Sequence, residues 1–353
     1  MIRKGKRMGK AALYTFDQIV DQISEIGRDR HKDDLIRNAQ QNLDHADKSI
    51  KALTKAKGKK AESCIVISAG PSVHKKQSIK KIKESNYPGL VIAADGAYIA
   101  CLKQDFVPDY VITLDPHPTR MVRWFGDPDF EEHAKKDDYF ARQDLDVKFR
   151  ENTLKQNQCH IELVNKYGPQ TKILVASCAP ANVVARLKES SMDAYWWNPL
   201  VDDPSQEDSL TRAMHKINKL PCINTGGNVG TAGWVFAQSV FSIPNIALCG
   251  MDFGYYEETP KEKTQLYYEL LNHLGDKEKV LECFMDFKFP LNGDKFYTDP
   301  TYYWYRKNFL DLLDRSTCRS VNCTEGGTLF DDKMKCLYLD DYINQYHGCP
   351  VIS

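Results

Sequence analysis

From residue 63 onward, short apolar runs alternate with segments of helical period. The runs fall at 64–68, 90–94, 110–114, 173–176, 194–197 and 246–249. They are apolar throughout rather than at every second position, as expected of strands buried on both faces. Helical spacing marks 75–84, 97–104, 180–188, 205–217 and 230–241, with an aromatic helix at 302–313. Strand and helix in alternation predict an α/β fold with a mostly parallel sheet and crossover helices. The charged stretch 127–155 follows neither period and is expected to be a lid or an inserted helical pair.

Upstream the pattern differs. Residues 11–55 read as helix, with Leu13, Phe16, Ile19, Ile23 and Ile26 forming one apolar stripe at three- and four-residue steps. Leu35, Ile36, Leu43, Ile50 and Leu53 support a second helix on a charged background. No chemistry is evident in these helices, which should pack on the main domain or on a second subunit, making a homo-oligomer. The organisation expected is a helical extension and basic linker over 1–60, then one domain over 61–348.

Charge changes this picture little. The 353 residues hold 48 lysines and arginines against 48 aspartates and glutamates, so no global field attracts nucleic acid. Residues 1–10 and 51–60 are locally basic, as expected of solvated segments, with polyanion or membrane-surface contact the alternative. Eleven cysteines contain no Cys-x-x-Cys pair, and Cys64, Cys178 and Cys249 sit in apolar runs, where cysteine behaves as a small hydrophobe. No apolar run nears the ~20 residues of a membrane span, and no secretory pattern follows the basic start. A cytoplasmic protein without an integral membrane segment is expected.

Candidate chemistry gathers where the predicted strands end. In an open parallel sheet, ligands bind beyond the carboxyl ends of the strands. Ser68-Ala69-Gly70-Pro71-Ser72 ends the first run, Asp95-Gly96 the second, Asp115-Pro116-His117 the third and Gly250-Met251-Asp252 the last. Asn224 to Thr231 is a further glycine loop opening a helix. Gly226, Gly227 and Gly230 let a ligand approach the backbone, and a helix N-terminus favours an anion. Together they suggest a phosphorylated ligand, a nucleotide above all. Neither loop has the spacing of a Walker or a dinucleotide fingerprint. Asp115 and His117, stiffened by Pro116 and Pro118, make His117 a candidate general base, although a satisfied surface histidine is the commoner outcome of such a pattern. Asp95 is either a turn residue or a ribose or base contact. Asp252 with Tyr255 and Tyr256 reads as a core-edge aromatic cluster or a sugar-binding wall. Asp299 looks like a helix cap, and Glu325 before two glycines like a turn or a ligand contact.

In this order, Gly70-Pro71-Ser72, Pro108-Asp109-Tyr110 through Asp115-Pro116, Thr225 to Thr231, Gly250-Met251-Asp252 and Thr324-Glu325-Gly326-Gly327 resemble the motility accessory factor family. That family is grouped with the archaeal MptE-like 6-hydroxymethylpterin pyrophosphokinases and shares motifs with bacterial sialyltransferases, among them Gly-x-Asp-Phe. The resemblance implies a Rossmann-like fold of the sialyltransferase type and transfer of a CMP-activated nonulosonic acid to a protein or glycan acceptor. It implies no metal cofactor, the nucleotide monophosphate being itself a good leaving group. Gly70, Pro71, Ser72, Asp95, Thr225, Gly226, Gly227, Asn228, Thr231, Asp252 and Tyr255 would hold the donor. Asp115 and His117 would serve catalysis, with Tyr303 and Glu325 as further sugar contacts. Sialyltransferases carry a histidine after Gly-x-Asp-Phe, whereas here only His273 and His347 follow, in other local patterns. The alternative is a magnesium-dependent pyrophosphokinase. The archaeal enzymes carry Thr-Asp-Leu-Asp-Gly at the third strand, and this chain has Thr113-Leu114-Asp115-Pro116, one carboxylate fewer. A second alternative is a non-catalytic nucleotide- or sugar-binding accessory protein.

Overall fold

The computed structural model describes residues 16–55, 61–136, 147–264 and 266–346. The basic segments 1–10 and 56–60, and His347, lie outside the described residues. Nine strands form one sheet: β1 (Ser63–Ile67), β2 (Leu90–Ala94), β3 (Tyr110–Thr113), β4 (Lys172–Ala176), β5 (Asp193–Leu200), β6 (Cys222–Asn224), β7 (Asn245–Cys249), β11 (Arg319–Asn322) and β12 (Lys335–Cys336). Their spatial order is β12-β11-β7-β1-β2-β3-β4-β5-β6, and every neighbouring pair runs parallel. β8 (Tyr255–Tyr256), β9 (Met285–Lys288) and β10 (Lys295–Thr298) form a separate antiparallel sheet in the order β8-β10-β9.

The apolar runs become strands because both faces of the sheet are covered. In β1, Cys64 and Val66 join one core cluster while Ile65 and Ile67 join another on the opposite face. In β4, Leu174 and Ala176 face the first cluster, and Ile173 and Val175 face a third. Helix Val229–Val235 crosses the middle of the sheet at close range. A β-carbon on Gly233 would stand 3.1 Å from Val66 Cγ1, so glycine sets how near the helix can lie.

The two helices expected over 11–55 are instead one helix over Phe16–Gln41, a single turn at Leu43–His45 and a short helix at Lys51–Lys55, and three further expected helices have different bounds. Segment 75–84 is two helices, Ser72–Lys75 and Ser78–Glu84, broken at Gln77, whose φ of 54° lies in the left-handed region. The segment expected from 205 starts at Leu210, where the Ser209 side chain accepts the Arg212 amide. Helix Val229–Val235 continues as a π-turn over Phe236–Val240. In the charged stretch, helices Phe130–Lys136 and Val147–Tyr167 form an inserted pair, with 137–146 outside the described residues.

The N-terminal helix, Phe16–Gln41, packs against helices Leu210–Asn218 and Pro300–Asp314. Two asparagines one turn apart fix it. Asn38 Nδ2 donates to the carbonyls of Pro116 (3.3 Å) and Cys178 (2.9 Å), and Asn42 Nδ2 to those of Ser177 (2.9 Å) and Ala179 (2.7 Å). All four acceptors lie just beyond β3 and β4. The helix therefore covers the carboxyl edge of the sheet. Among the described residues, no helix is long and apolar enough to cross a membrane, and all ten cysteines are free.

Candidate functional site

The strand order reverses between β1 and β7. From β1 the chain steps outward through β6, then returns to the other flank of β1 as β7. Such a switch point opens a crevice at the carboxyl ends of the two strands. Here the Ser68 amide donates to the Cys249 carbonyl (2.8 Å) and the Gly70 amide to the Gly250 carbonyl (2.9 Å), tying the two loops together. A cavity of about 1850 Å³ lies over them.

Glycine makes this junction sterically feasible. A β-carbon on Gly70 would fall 1.9 Å from Asp252 Oδ2, and one on Gly230 would fall 2.3 Å from Ser68 Oγ. Gly226 and Gly227 adopt φ of 56° and 87°, left-handed values that favour glycine. Their loop is braced locally. Asn224 Oδ1 accepts the Gly226 amide, Thr225 Oγ1 the Gly227 amide, and Asn228 Oδ1 the Thr231 amide, which caps the following helix.

Polar groups at the junction are buried and incompletely paired. Ser68 Oγ, Asp95 Oδ2 and Asp252 Oδ1 have no hydrogen-bond partner, although all three residues line the cavity. Asp95 Oδ1 accepts the Gly96 amide (2.7 Å) and Asp252 Oδ2 the Ser72 hydroxyl (2.7 Å). Burial pushes each of these carboxyls up to about 6, more than the polar neighbours pull it down, which are the Thr113 hydroxyl and Gly96 amide for Asp95 and Ser72 for Asp252. Asp115, also on the wall, is paired instead with Arg120 (3.2 Å).

Gly70, Pro71, Asp95, Asp115, Thr225, Gly226, Gly227, Asn228 and Asp252 are all on the cavity wall. Six other sequence candidates are not. Ser72 is fully buried behind Asp252, and Thr231 lies behind the Asn228 cap. His117 Nδ1 accepts the Arg120 amide at the start of helix Pro118–Val122. Tyr255 donates to Asp299 Oδ2 (2.9 Å) and stacks on Tyr297. Tyr303 packs edge-on against Phe16 of the N-terminal helix. Glu325 accepts the Leu339 amide (3.1 Å) and pairs with Lys81 (3.3 Å).

Other lining residues were not singled out in the sequence, although Tyr302, Trp304 and Tyr305 belong to its expected aromatic helix. Arg120, Trp124, Tyr302, Trp304 and Tyr305 reach the cavity, and the N-terminal helix adds Ile19, Gln22, His31 and Leu35. The helix in which the sequence shows no evident chemistry thus forms part of the wall, and His31 is the one histidine on that wall among the described residues. Its signal was faint. His31, Leu35, Asn38 and Asn42 follow one helical face, but three of the four are polar or charged and do not register as an apolar stripe.

Residues 33–135 match the family described as 6-hydroxymethylpterin diphosphokinase MptE-like. A 6-hydroxymethyl-7,8-dihydropterin pyrophosphokinase of Methanocaldococcus jannaschii is 25% identical over 233 residues, covering 61% of this chain and 75% of that enzyme. Among solved structures, the MAf glycosyltransferase from Magnetospirillum magneticum AMB-1 superposes with a TM-score of 0.52 at 13% identity. That superposition covers 93% of this chain, which spans 39% of the larger protein. Residues 33–135 thus resemble the MptE-like family, and the α/β fold of the chain is similar to that of the MAf structure.

Proposed function

We propose that this chain is a glycosyltransferase-like enzyme whose switch-point cavity binds a nucleotide-activated sugar, with a CMP-activated nonulosonic acid as donor. The observation that carries this is the trio Ser68 Oγ, Asp95 Oδ2 and Asp252 Oδ1, buried and unpartnered between glycine loops. An unmet buried polar group costs about 1–3 kcal/mol, which a ligand rich in hydroxyl and amino groups would offset. CMP specifically is supported by the order of sequence motifs shared with the motility accessory factors.

In the reaction, the acceptor oxygen bonds to the anomeric carbon as the bond from that carbon to the phosphate oxygen breaks. CMP leaves with the bonding pair, its growing charge directed toward Arg120 and the glycine-loop backbone. The acceptor proton passes to Asp95 or Asp252. With a pKa near 6, either is ionised at neutral pH yet basic enough to take it. His117 is then a helix cap rather than the base. Whichever of Asp95→Asn and Asp252→Asn removes the base should lower transfer from a CMP-activated donor about 100-fold. Full turnover in both variants would refute these assignments.

A magnesium-dependent pyrophosphokinase is the second possibility, favoured by the match over 33–135 and by the Methanocaldococcus relative. Magnesium bridging phosphates needs converging carboxylates. The described residues contain no group of three or more histidine, cysteine or acidic side chains arranged to hold a metal, and Asp115 is already paired with Arg120. These residues fit a magnesium site poorly, so sugar transfer is preferred.

A further inference from the structure

The cavity is larger than a donor requires. Its volume of about 1850 Å³ compares with roughly 300–1,000 Å³ for a typical small-molecule site. The glycine loops form its floor at the switch point. The space beyond is a corner where three elements touch. Phe16 of the N-terminal helix packs edge-on against Tyr303 of helix Pro300–Asp314, with ring centroids 5.1 Å apart. Ile19, one turn on, joins the apolar cluster of Tyr267 and Leu270.

Trp304 stands where this corner meets the donor floor. It lines the cavity, and a β-carbon on Gly227 would lie 2.2 Å from its Cζ3, so the indole rests directly on the donor loop. Tyr305 adds a second ring, 5.4 Å away and inclined by 54°. Asn308, one turn along the same helix, donates to the Gly226 carbonyl (3.4 Å), and Asp311, Gln22 and Asn272 also line the cavity. Aromatic surface beside amides and a carboxylate matches the two aspects of a pyranose. The C–H face of the sugar packs on a ring, while its hydroxyls need both donors and acceptors.

We propose that this corner is the acceptor subsite and that it takes a carbohydrate, with a terminal pyranose packed on Trp304 so that one hydroxyl points at the donor floor. The proposal rests on the transfer function given above. It goes further in assigning a glycan acceptor, because a three-walled corner admits the end of a sugar chain more readily than the surface of a folded protein.

Saturation-transfer NMR with a panel of methyl pyranosides, run without nucleotide, tests the subsite separately from the donor. At least one pyranoside should bind the wild type. Trp304→Ala should weaken that binding about 10-fold and Trp304→Phe, which keeps a ring against the Gly227 loop, should recover most of it, while calorimetric CMP binding by the wild type reports the donor site separately. Pyranoside binding that is lost in Trp304→Ala, in a protein that fails to bind CMP, would keep the carbohydrate subsite and overturn the donor. No pyranoside binding in a protein that binds CMP would overturn the subsite. So would affinity indifferent to Trp304→Ala, or transfer from a CMP-activated donor to serine- and threonine-containing peptides but to no glycan.

Discussion

Asp95 and Asp252 are each held by burial near pH 6, above the ordinary aspartate value of 3.8. A carboxyl whose folded pKa is raised favours folding most when protonated. Its contribution is complete below about pH 3.8 and is lost as pH rises through about 6. At about 1.4 kcal/mol per pKa unit, each should cost on the order of 3 kcal/mol at neutral pH. Asp95→Asn and Asp252→Asn should therefore raise stability at pH 7 by about 1–3 kcal/mol and flatten the decline between pH 4 and 7, read by urea unfolding across that range. A decline as steep as in the wild type would show that these carboxyls are not strained. Sequence pattern shows such residues only in part. The acid at each strand end is legible, but whether its oxygens are satisfied depends on loops brought together from distant parts of the chain, as Ser72 and Asp252 are. His117 illustrates the converse, since Asp-Pro-His-Pro is equally consistent with a base and with a helix cap.

The N-terminal helix carries the corresponding lesson for elements. Its apolar stripe was legible, whereas its function as a wall was not, because its attachment depends on two asparagines. Asn38 and Asn42 satisfy four carbonyls at the carboxyl ends of β3 and β4. Replacing both with alanine leaves those carbonyls unmet. The double variant should lose about 2–6 kcal/mol, at about 1–3 kcal/mol per site. Chemical denaturation measures the loss directly, and a change below about 0.5 kcal/mol would mean the helix is held by its apolar contacts alone. The long strands of the main sheet were recovered from their apolar runs to within a residue or a few at each end. β6, only three residues long, and the antiparallel sheet of β8, β9 and β10 were not, because their short sequences mix polar with apolar or aromatic residues and lack a continuous apolar run.

For the whole molecule, strand order converts scattered motifs into one site. The matched segment 33–135 supplies Gly70, Asp95 and Asp115 from β1 to β3, while Gly226, Asp252 and Trp304 come from the later half of the chain. Sequence alone showed that glycine and acid recur at strand ends. It could not show that β7 returns beside β1, which is what joins the two halves across the switch point. The central claim is that this junction binds a nucleotide-activated sugar without needing a metal. Calorimetric titration of the full chain with CMP and with ATP, each with and without magnesium, tests that most directly. Sugar transfer predicts CMP binding of equal affinity in both conditions, whereas magnesium-dependent binding of ATP with none of CMP would contradict it and restore the pyrophosphokinase.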